Sequence, residues 1–329
     1  MRVALVGATG LVGTHMLQVL EEFKFPVSEL ILAASEKSIG KKVVFCKQEY
    51  ACKSVAEAIE ECPQIAIFSA GGSTSKKYAE LFASKGTYVI DNSSYWRMYD
   101  YIPLIVPEVN GHILEKHQHI IANPNCSTIQ LMVVLNPIKK HFGLRKIIIS
   151  TYQSVTGTGV KAVKQLFDER NKQEVTKVYP HQIDLNCLPH GGDFEPNGYT
   201  SEEMKLVNES HKILNDTAIE IEATVVRVPV TGGHSESVFI ECEKEVRSDD
   251  IKNLLSQQKG VIVYDNPLYN EYPMPLMAEG KNDVFVGRIR QSLFNKKAVN
   301  LWIVADNLRK GAATNAVQIA QLLVENKFV

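Results

Sequence analysis

The sequence predicts an α/β protein of two domains. Three observations carry that prediction. The chain has 329 residues, enough for two domains with ample core. Short apolar runs alternate with helix-like segments through the first half. The glycines of Gly7-Ala8-Thr9-Gly10-Leu11-Val12-Gly13 follow an apolar run and open a helical one.

Arg2 to Val6 reads as a short buried strand and Thr14 to Glu22 as a helix. The glycines between them have distinct physical tasks: a tight turn, close approach of backbone to a pyrophosphate, and close packing of helix on strand. A second strand is expected over Glu29 to Ala34, followed by Ser35-Glu36-Lys37-Ser38-Ile39-Gly40-Lys41-Lys42. A carboxylate here suits the ribose 2′-hydroxyl of NAD. Ser35, Lys37 and Ser38 suit a 2′-phosphate instead, so NADP is favoured. Glu36 is the one dissenting residue, and a solvated surface loop is the plain alternative.

Ile65 to Ala70 is the next expected strand, ending in Gly71-Gly72-Ser73. A glycine turn at the C-terminal end of a strand is where α/β sheets bind ligands. Ser75 to Lys85 reads as helix and Tyr88 to Ile90 as strand, closed by Asp91-Asn92-Ser93-Ser94. Arg97 follows; its fork can grip a phosphate in two places, or it is a surface arginine. Leu104 to Asn110 then leads through a helix-like stretch to a strand at Ile120 to Ala122.

Asn123-Pro124-Asn125-Cys126-Ser127-Thr128 comes next, before a helical apolar segment over Ile129 to Leu135. Asn and Pro disfavour helix just before the cysteine, which places Cys126 at or near a helix N-terminus. Unpaired N–H groups and the helix dipole lower a thiol pKa there. Cys126 is therefore a candidate nucleophile, against the alternative of an inert buried thiol.

In the second half, Lys146 to Gln153 is a strand dense in β-formers, with Gln153 near its end. Ser154 to Gly159 is a loop and Val160 to Arg170 a helix. Thr200 or Ser201 caps a helix with acids in its first turn, which would ordinarily leave Glu203 and Lys205 on a solvated face. Ile219 to Val230 is strand-like and holds Arg227. His234 follows Gly232-Gly233 in an expected loop before a strand at Ser237 to Glu241, as a candidate general acid or base. Val284 to Arg290 and Ala298 to Val304 read as an antiparallel pair turning at Asn295-Lys296-Lys297, and Thr314 to Asn326 as an amphipathic helix.

Composition excludes several classes. Net charge is −1, from 36 basic and 37 acidic residues, which argues against nucleic-acid or anionic-membrane partners. No apolar run reaches the ~18 residues of a membrane span. Six scattered cysteines without a C-x-x-C pair argue against zinc or a disulfide framework, and for a reducing, cytoplasmic setting. Cys187 and His190 lack further ligand spacing and read as structural.

Seven segments together resemble the aspartate-β-semialdehyde dehydrogenase family over essentially the whole chain. They are GATGLVG (7–13), DNSSYWR (91–97), NPNCST (123–128), STYQSVTG (150–157), EEMK (202–205), RVPVTGGH (227–234) and DNLRKGAA (306–313). The resemblance implies a Rossmann-like NADP-binding domain of residues 1–125 plus 312–329. It also implies a catalytic and dimerisation domain of residues 126–311, an α+β unit similar to that of glyceraldehyde-3-phosphate dehydrogenase. The implied reaction is NADPH-dependent reductive dephosphorylation of L-aspartyl-4-phosphate to L-aspartate-4-semialdehyde, toward lysine, threonine and methionine. Cys126 is then the acylated nucleophile and His234 the acid/base. Gln153, Glu203 and Arg227 hold substrate; Arg97 and Lys205 hold the departing phosphate, with Asn92 nearby. Thr9, Gly10, Leu11, Val12, Lys37, Ser38, Thr156, Gly157 and Asn307 lie on NADP(H). A homodimer or a dimer of dimers is implied, with no metal.

The residue types fit that chemistry independently. An acyl phosphate is already activated and needs a thiolate rather than a metal. Arg227 suits an α-carboxylate and Glu203 an α-ammonium. The runner-up is an N-acetyl-γ-glutamyl-phosphate reductase, whose acetylated substrate lacks the ammonium that Glu203 would meet. A non-catalytic nucleotide-binding homologue is the other alternative; the presence of both Cys126 and His234 argues against it.

Overall fold

The computed structural model describes all residues, Met1–Val329, and divides into two compact units: Met1–Asn125 with Ala312–Val329, and Cys126–Gly311. No helix is long and apolar enough to cross a membrane.

The first unit contains β1 (Arg2–Val6), α1 (Leu11–Glu22), β2 (Glu29–Ala33), β3 (Lys42–Phe45), β4 (Gln48–Ala51), α2 (Val55–Glu60), β5 (Ile65–Phe68), α3 (Gly72–Ser84), β6 (Tyr88–Asp91), α4 (Pro107–Asn110) and β7 (Ile120–Ala122). Five strands form one sheet in the order β2-β1-β5-β6-β7, every neighbour parallel. β1, β5, β6 and β7 are buried along their whole length save Arg2, which explains why they read as continuous apolar runs rather than alternating ones. The C-terminal helix Thr314–Glu325 belongs to this unit; its Ala316, Val317, Ile319, Ala320 and Leu323 join the core built on Val3, Leu5, Met16 and Leu20. The β3–β4 hairpin was not expected from sequence: Phe45 is buried and Val43 and Tyr50 pack against the same core, but strands of four residues are too short to show a period.

The second unit opens on α5 (Cys126–Phe142), then β8 (Lys146–Gln153), α6 (Val160–Arg170), α7 (Ser201–Leu214), β9 (Glu220–Arg227), β10 (His234–Glu241), α8 (Ser248–Ser256), β11 (Val261–Val263), α9 (Pro275–Ala278), β12 (Val284–Gln291) and β13 (Ala298–Ala305). The C-terminal helix is thus α10. Six strands make a mixed sheet in the order β11-β12-β13-β10-β8-β9, in which only the outer pairs are parallel. Strand β8 alternates, with Ile147, Ile149, Thr151 and Gln153 buried while Ile148 and Tyr152 are exposed. One face of this sheet therefore packs inward and the other stays open. α5 is buried from Ser127 through Ile138, including Ser127, Thr128 and Gln130, so its polar residues sit inside the unit.

Two differences from the sequence reading matter for the site. Helix α1 starts at Leu11 rather than Thr14, directly on the glycine turn. His234 is not in a loop: it is the first residue of β10 and is fully buried, paired in register with Ala305. The Gly232-Gly233 pair ahead of it marks the strand's entry, where a Cβ on Gly233 would lie 2.7 Å from the Ala305 carbonyl oxygen.

Candidate functional site

The first unit carries a cavity of about 680 Å³ at the C-terminal ends of β1, β2 and β5, a size suited to a cofactor. Strand order reverses about β1 there, the topological switch point of an open parallel sheet. Gly7, at φ +93°, turns the chain so closely that an added Cβ would lie 2.4 Å from the Ser69 carbonyl oxygen. A Cβ on Gly13 would sit 2.3 Å from the Gly7 carbonyl oxygen, so α1 approaches β1 only because that position has no side chain. Thr9, Gly10 and Lys37 of the sequence-derived cofactor set line this cavity, as do Ser35 and Glu36. Leu11 and Val12 form the first turn of α1, and Ser38 is buried in the short 3-10 turn Glu36–Ser38. Thr74 and Tyr78, one helical turn apart on α3, also line it and were missed; nothing in a lone helical Tyr signals a ligand.

In the same unit, Asn92 and Arg97 meet at the C-terminal end of β6. Arg97 is nearly buried; its Nε donates to the Asn123 carbonyl at 2.9 Å and its Nη2 to the Asn92 carbonyl at 3.0 Å. Asn123 Nδ2 donates to Asn92 Oδ1 at 2.7 Å, and Asn315 Nδ2 to Asn123 Oδ1 at 2.7 Å. Two of the Arg97 contacts are to backbone carbonyls, and its charge also acts on the buried Asp91 carboxyl at the end of the same strand. The surface-arginine alternative does not hold.

In the second unit, Cys126 is the first residue of α5 and partly exposed, at the end of the helix where N–H groups point outward. A Cβ on Gly311 would lie 2.9 Å from the Cys126 Cβ, so that glycine leaves room beside the thiol. Gln153 is buried at the end of β8, and its Nε2 donates to Ser127 Oγ at 3.0 Å, next to the cysteine in sequence.

Ser154 is the hub that sequence reasoning missed. Its N–H donates to His234 Nδ1 at 3.0 Å, and its carbonyl accepts from Arg227 Nη1 at 2.8 Å. Its hydroxyl meets Thr156 Oγ1 at 2.6 Å, and Thr156 Oγ1 in turn donates to Asn307 Oδ1 at 3.0 Å. Since Nδ1 accepts, the proton of a neutral His234 sits on Nε2, which has no hydrogen-bond partner. Burial first, then the neighbouring Arg227 charge, holds the imidazole pKa well below 6.5, so it is neutral at pH 7. Gly157 closes the corner: an added Cβ would lie 2.9 Å from Arg227 Nη1 and 3.0 Å from His234 Nε2. Arg227 is nearly buried and its Nε also lacks a partner, a donor left open toward an anion.

Glu203 is buried rather than on a solvated face. It forms the capping box of α7, accepting from the Thr200 N–H at 2.6 Å, and its other oxygen accepts from the Val225 N–H at 2.9 Å. Val225 and Arg227 share the buried face of β9, which brings the acid and the arginine to one strand. Lys205 is partly exposed and paired with Glu202. Cys187 is exposed, and no group of His, Cys, Asp and Glu is arranged to hold a metal.

The chain matches known proteins in sequence and fold. Residues 2–117 match the family model for the semialdehyde dehydrogenase NAD binding domain, and residues 135–310 that for the semialdehyde dehydrogenase dimerisation domain. An aspartate-semialdehyde dehydrogenase of Aquifex aeolicus is 51% identical, over 100% of this chain and 99% of its own. One from Bacillus subtilis is 47% identical, with the same coverage. The crystal structure of aspartate semialdehyde dehydrogenase II complexed with ASA from Vibrio cholerae superposes with a TM-score of 0.95 at 44% identity, covering 99% of this chain and 98% of that one. With family models matched over most of the chain and full-length relatives at 47% to 51% identity, the chain belongs to the aspartate-semialdehyde dehydrogenase family.

Proposed function

We propose that the chain reduces L-aspartyl-4-phosphate with NADPH to L-aspartate-4-semialdehyde, releasing phosphate, by way of a thioester on Cys126. The observation that carries the reading is the pair of unpartnered buried donors, His234 Nε2 and Arg227 Nε, beside Gly157 in the unit that Cys126 opens.

Cys126 attacks the acyl phosphate as thiolate, favoured by the N-terminal position on α5. The C–S bond forms, the C–O bond to phosphate breaks, and phosphate leaves with that electron pair. Arg97, Asn92 and Lys205 hold it as it departs. Bound NADPH would supply the hydride that reduces the thioester. Neutral His234 donates its Nε2–H as a hydrogen bond to the alkoxide that results and holds that charge until the carbonyl re-forms and the thiolate leaves. Arg227 receives the substrate α-carboxylate on its fork, Glu203 the α-ammonium, and Gln153 the acyl portion. Glu203 keeps lone pairs for this while capping α7, since a carboxylate has about four acceptor sites.

Gly7, Thr9, Gly10 and Lys37 of the cavity lining would hold NADP(H), and Lys37 with Ser38 suits its 2′-phosphate. Leu11, Val12, Thr156, Gly157 and Asn307 would also hold the cofactor. The first unit is the NADP-binding domain and the second the catalytic and dimerisation domain. The chain works as a homodimer in the cytoplasm, and two such dimers can pair.

The test is phosphate-dependent reduction of NADP+ by aspartate semialdehyde with the purified protein. Activity that requires phosphate and vanishes in Cys126→Ala is expected. Absence of NADPH formation, or a Cys126→Ala variant as active as wild type, overturns the reading. The N-acetyl-γ-glutamyl-phosphate reductase alternative is disfavoured by Glu203, whose burial at the start of α7 against the strand that carries Arg227 suits a free ammonium.

A further inference from the structure

On the inward face of the second unit's sheet, β10 carries a second fully buried ionisable residue that the mechanism does not use. Glu236 lies two residues beyond His234 on the same strand face. It pairs in register with Thr151 of β8 on one side and Ile303 of β13 on the other. The side chains of Ser127 and Gln130, in the first turns of α5, face its carboxyl. Gln130 Nε2 reaches the His234 carbonyl at 3.4 Å, and Ser127 Oγ accepts from Gln153 Nε2 at 3.0 Å. Glu236 is thus joined through one side chain to each of Gln153 and His234, and it faces the residue next to Cys126.

The carboxyl is not there as a charge partner. No cation faces it from α5, β8 or β13; the facing groups are Ser127, Gln130, Thr151 and Ile303, with His234 along its own strand. Neither carboxyl oxygen nor Gln130 Oε1 meets a well-aligned hydrogen-bond partner, although the Ser127 and Gln130 side chains lie near enough to the carboxyl to act on it. A proton on Glu236 supplies a donor to that set, at no cost in volume. Burial favours the same state, raising the carboxyl well above 4.5 against the opposing effects of Gln130 and Ser127.

We propose that Glu236, as a neutral acid, is a positioning residue of the thiol site: it clamps Ser127 and Gln130 under the start of α5 and so aligns Cys126 and Gln153 with His234. The inference rests on the thiol mechanism above. Misplacing reacting groups by a fraction of their separation costs catalysis more than binding when substrate is held elsewhere, here on Arg227.

The experiment compares wild type, Glu236→Gln, Glu236→Ala and Gln130→Leu. It reads kcat and KM for aspartate semialdehyde, and the pH profile of Cys126 alkylation by iodoacetamide. Glu236→Gln, neutral and of the same shape, keeps the larger part of kcat. Glu236→Ala and Gln130→Leu each lose roughly tenfold or more in kcat with little change in KM, and displace the alkylation profile. If Glu236→Ala fails to fold, Gln130→Leu decides. Wild-type kcat and alkylation in the folded apolar variants overturn the proposal, as does a Glu236→Gln variant damaged as badly as they are. The alkylation profile keeps this separate from the catalytic reading. An inactive wild type defeats that reading, whereas an active wild type with indifferent variants defeats only the clamp.

Discussion

Arg227 does several things at once. It donates to the Ser154 carbonyl, lowers the His234 pKa by its charge, and keeps Nε open. Lysine would preserve the charge but not the planar fork. Arg227→Lys is therefore expected to raise the KM for aspartate semialdehyde on the order of tenfold or more, with a smaller effect on kcat. Steady-state kinetics check this, and an unchanged KM refutes the carboxylate assignment. The two buried ionisable groups of β10 also give stability a pH signature. Glu236 has its folded pKa raised above 4.5, so its contribution is complete below 4.5 and is lost as pH rises through the folded value. His234 has its folded pKa depressed below 6.5, so stability is lost as pH falls from 6.5 toward the folded value. Glu236→Gln removes only the first effect. Its melting temperature should exceed that of wild type at pH 7 to 8, and the gap should shrink as pH is lowered toward 4.5; a pH-independent gap in thermal melts would contradict the raised carboxyl pKa.

At the scale of elements, helix starts do much of the positioning. α5 begins on the cysteine, and α7 begins on a capping box whose acid is also the expected ammonium ligand. Thr200 accepts from the Glu203 N–H at 3.4 Å while the Glu203 carboxylate accepts from the Thr200 N–H. Thr200→Ala should cost about 1 kcal/mol of stability through the lost cap. It should also raise KM, because the Glu203 side chain loses the turn that orients it. Denaturant unfolding and kinetics on one preparation test both; a stability loss with KM unchanged would separate Glu203 from substrate. Element boundaries were legible where a period or cap was strong. β1, β8, α6 and the β12–β13 pair lie where the pattern put them, and Thr200 is the cap of α7. The helix at α1 extends over Leu11 to Gly13, since the close approach at Gly13 is tertiary and invisible to propensity. The short β3–β4 hairpin and the short β11 gave no comparable signal.

For the whole molecule, the open face of the six-stranded sheet is the feature a single chain leaves unexplained. Ile148 and Tyr152 on β8 are exposed on it, and the Tyr152 and Trp302 rings lie 5.4 Å apart there. The match of residues 135–310 to a dimerisation domain points to a second copy as the cover. Sedimentation velocity should show a dimer at micromolar concentration, and Tyr152→Glu, which places a charge on that face, should shift it toward monomer. A wild-type monomer would count against the homodimer reading.

What the sequence by itself determined was chemistry and local form. The glycine turn, the cysteine at a helix start, and the residue types able to hold a carboxylate, an ammonium and a phosphate all follow from steric and electrostatic rules acting over a few neighbouring residues. Tertiary structure decided what depends on distant neighbours. His234 is a buried strand residue because β10 pairs with β13 and β8, and its tautomer is set by Ser154, eighty positions away in the chain. Glu203 is buried because β9 closes over α7, and Glu236 is a carboxyl without a cation because α5 presents only Ser127 and Gln130 to it. Desolvation and hydrogen-bond partnership are set by whatever packs nearby, and no local pattern in the chain records that.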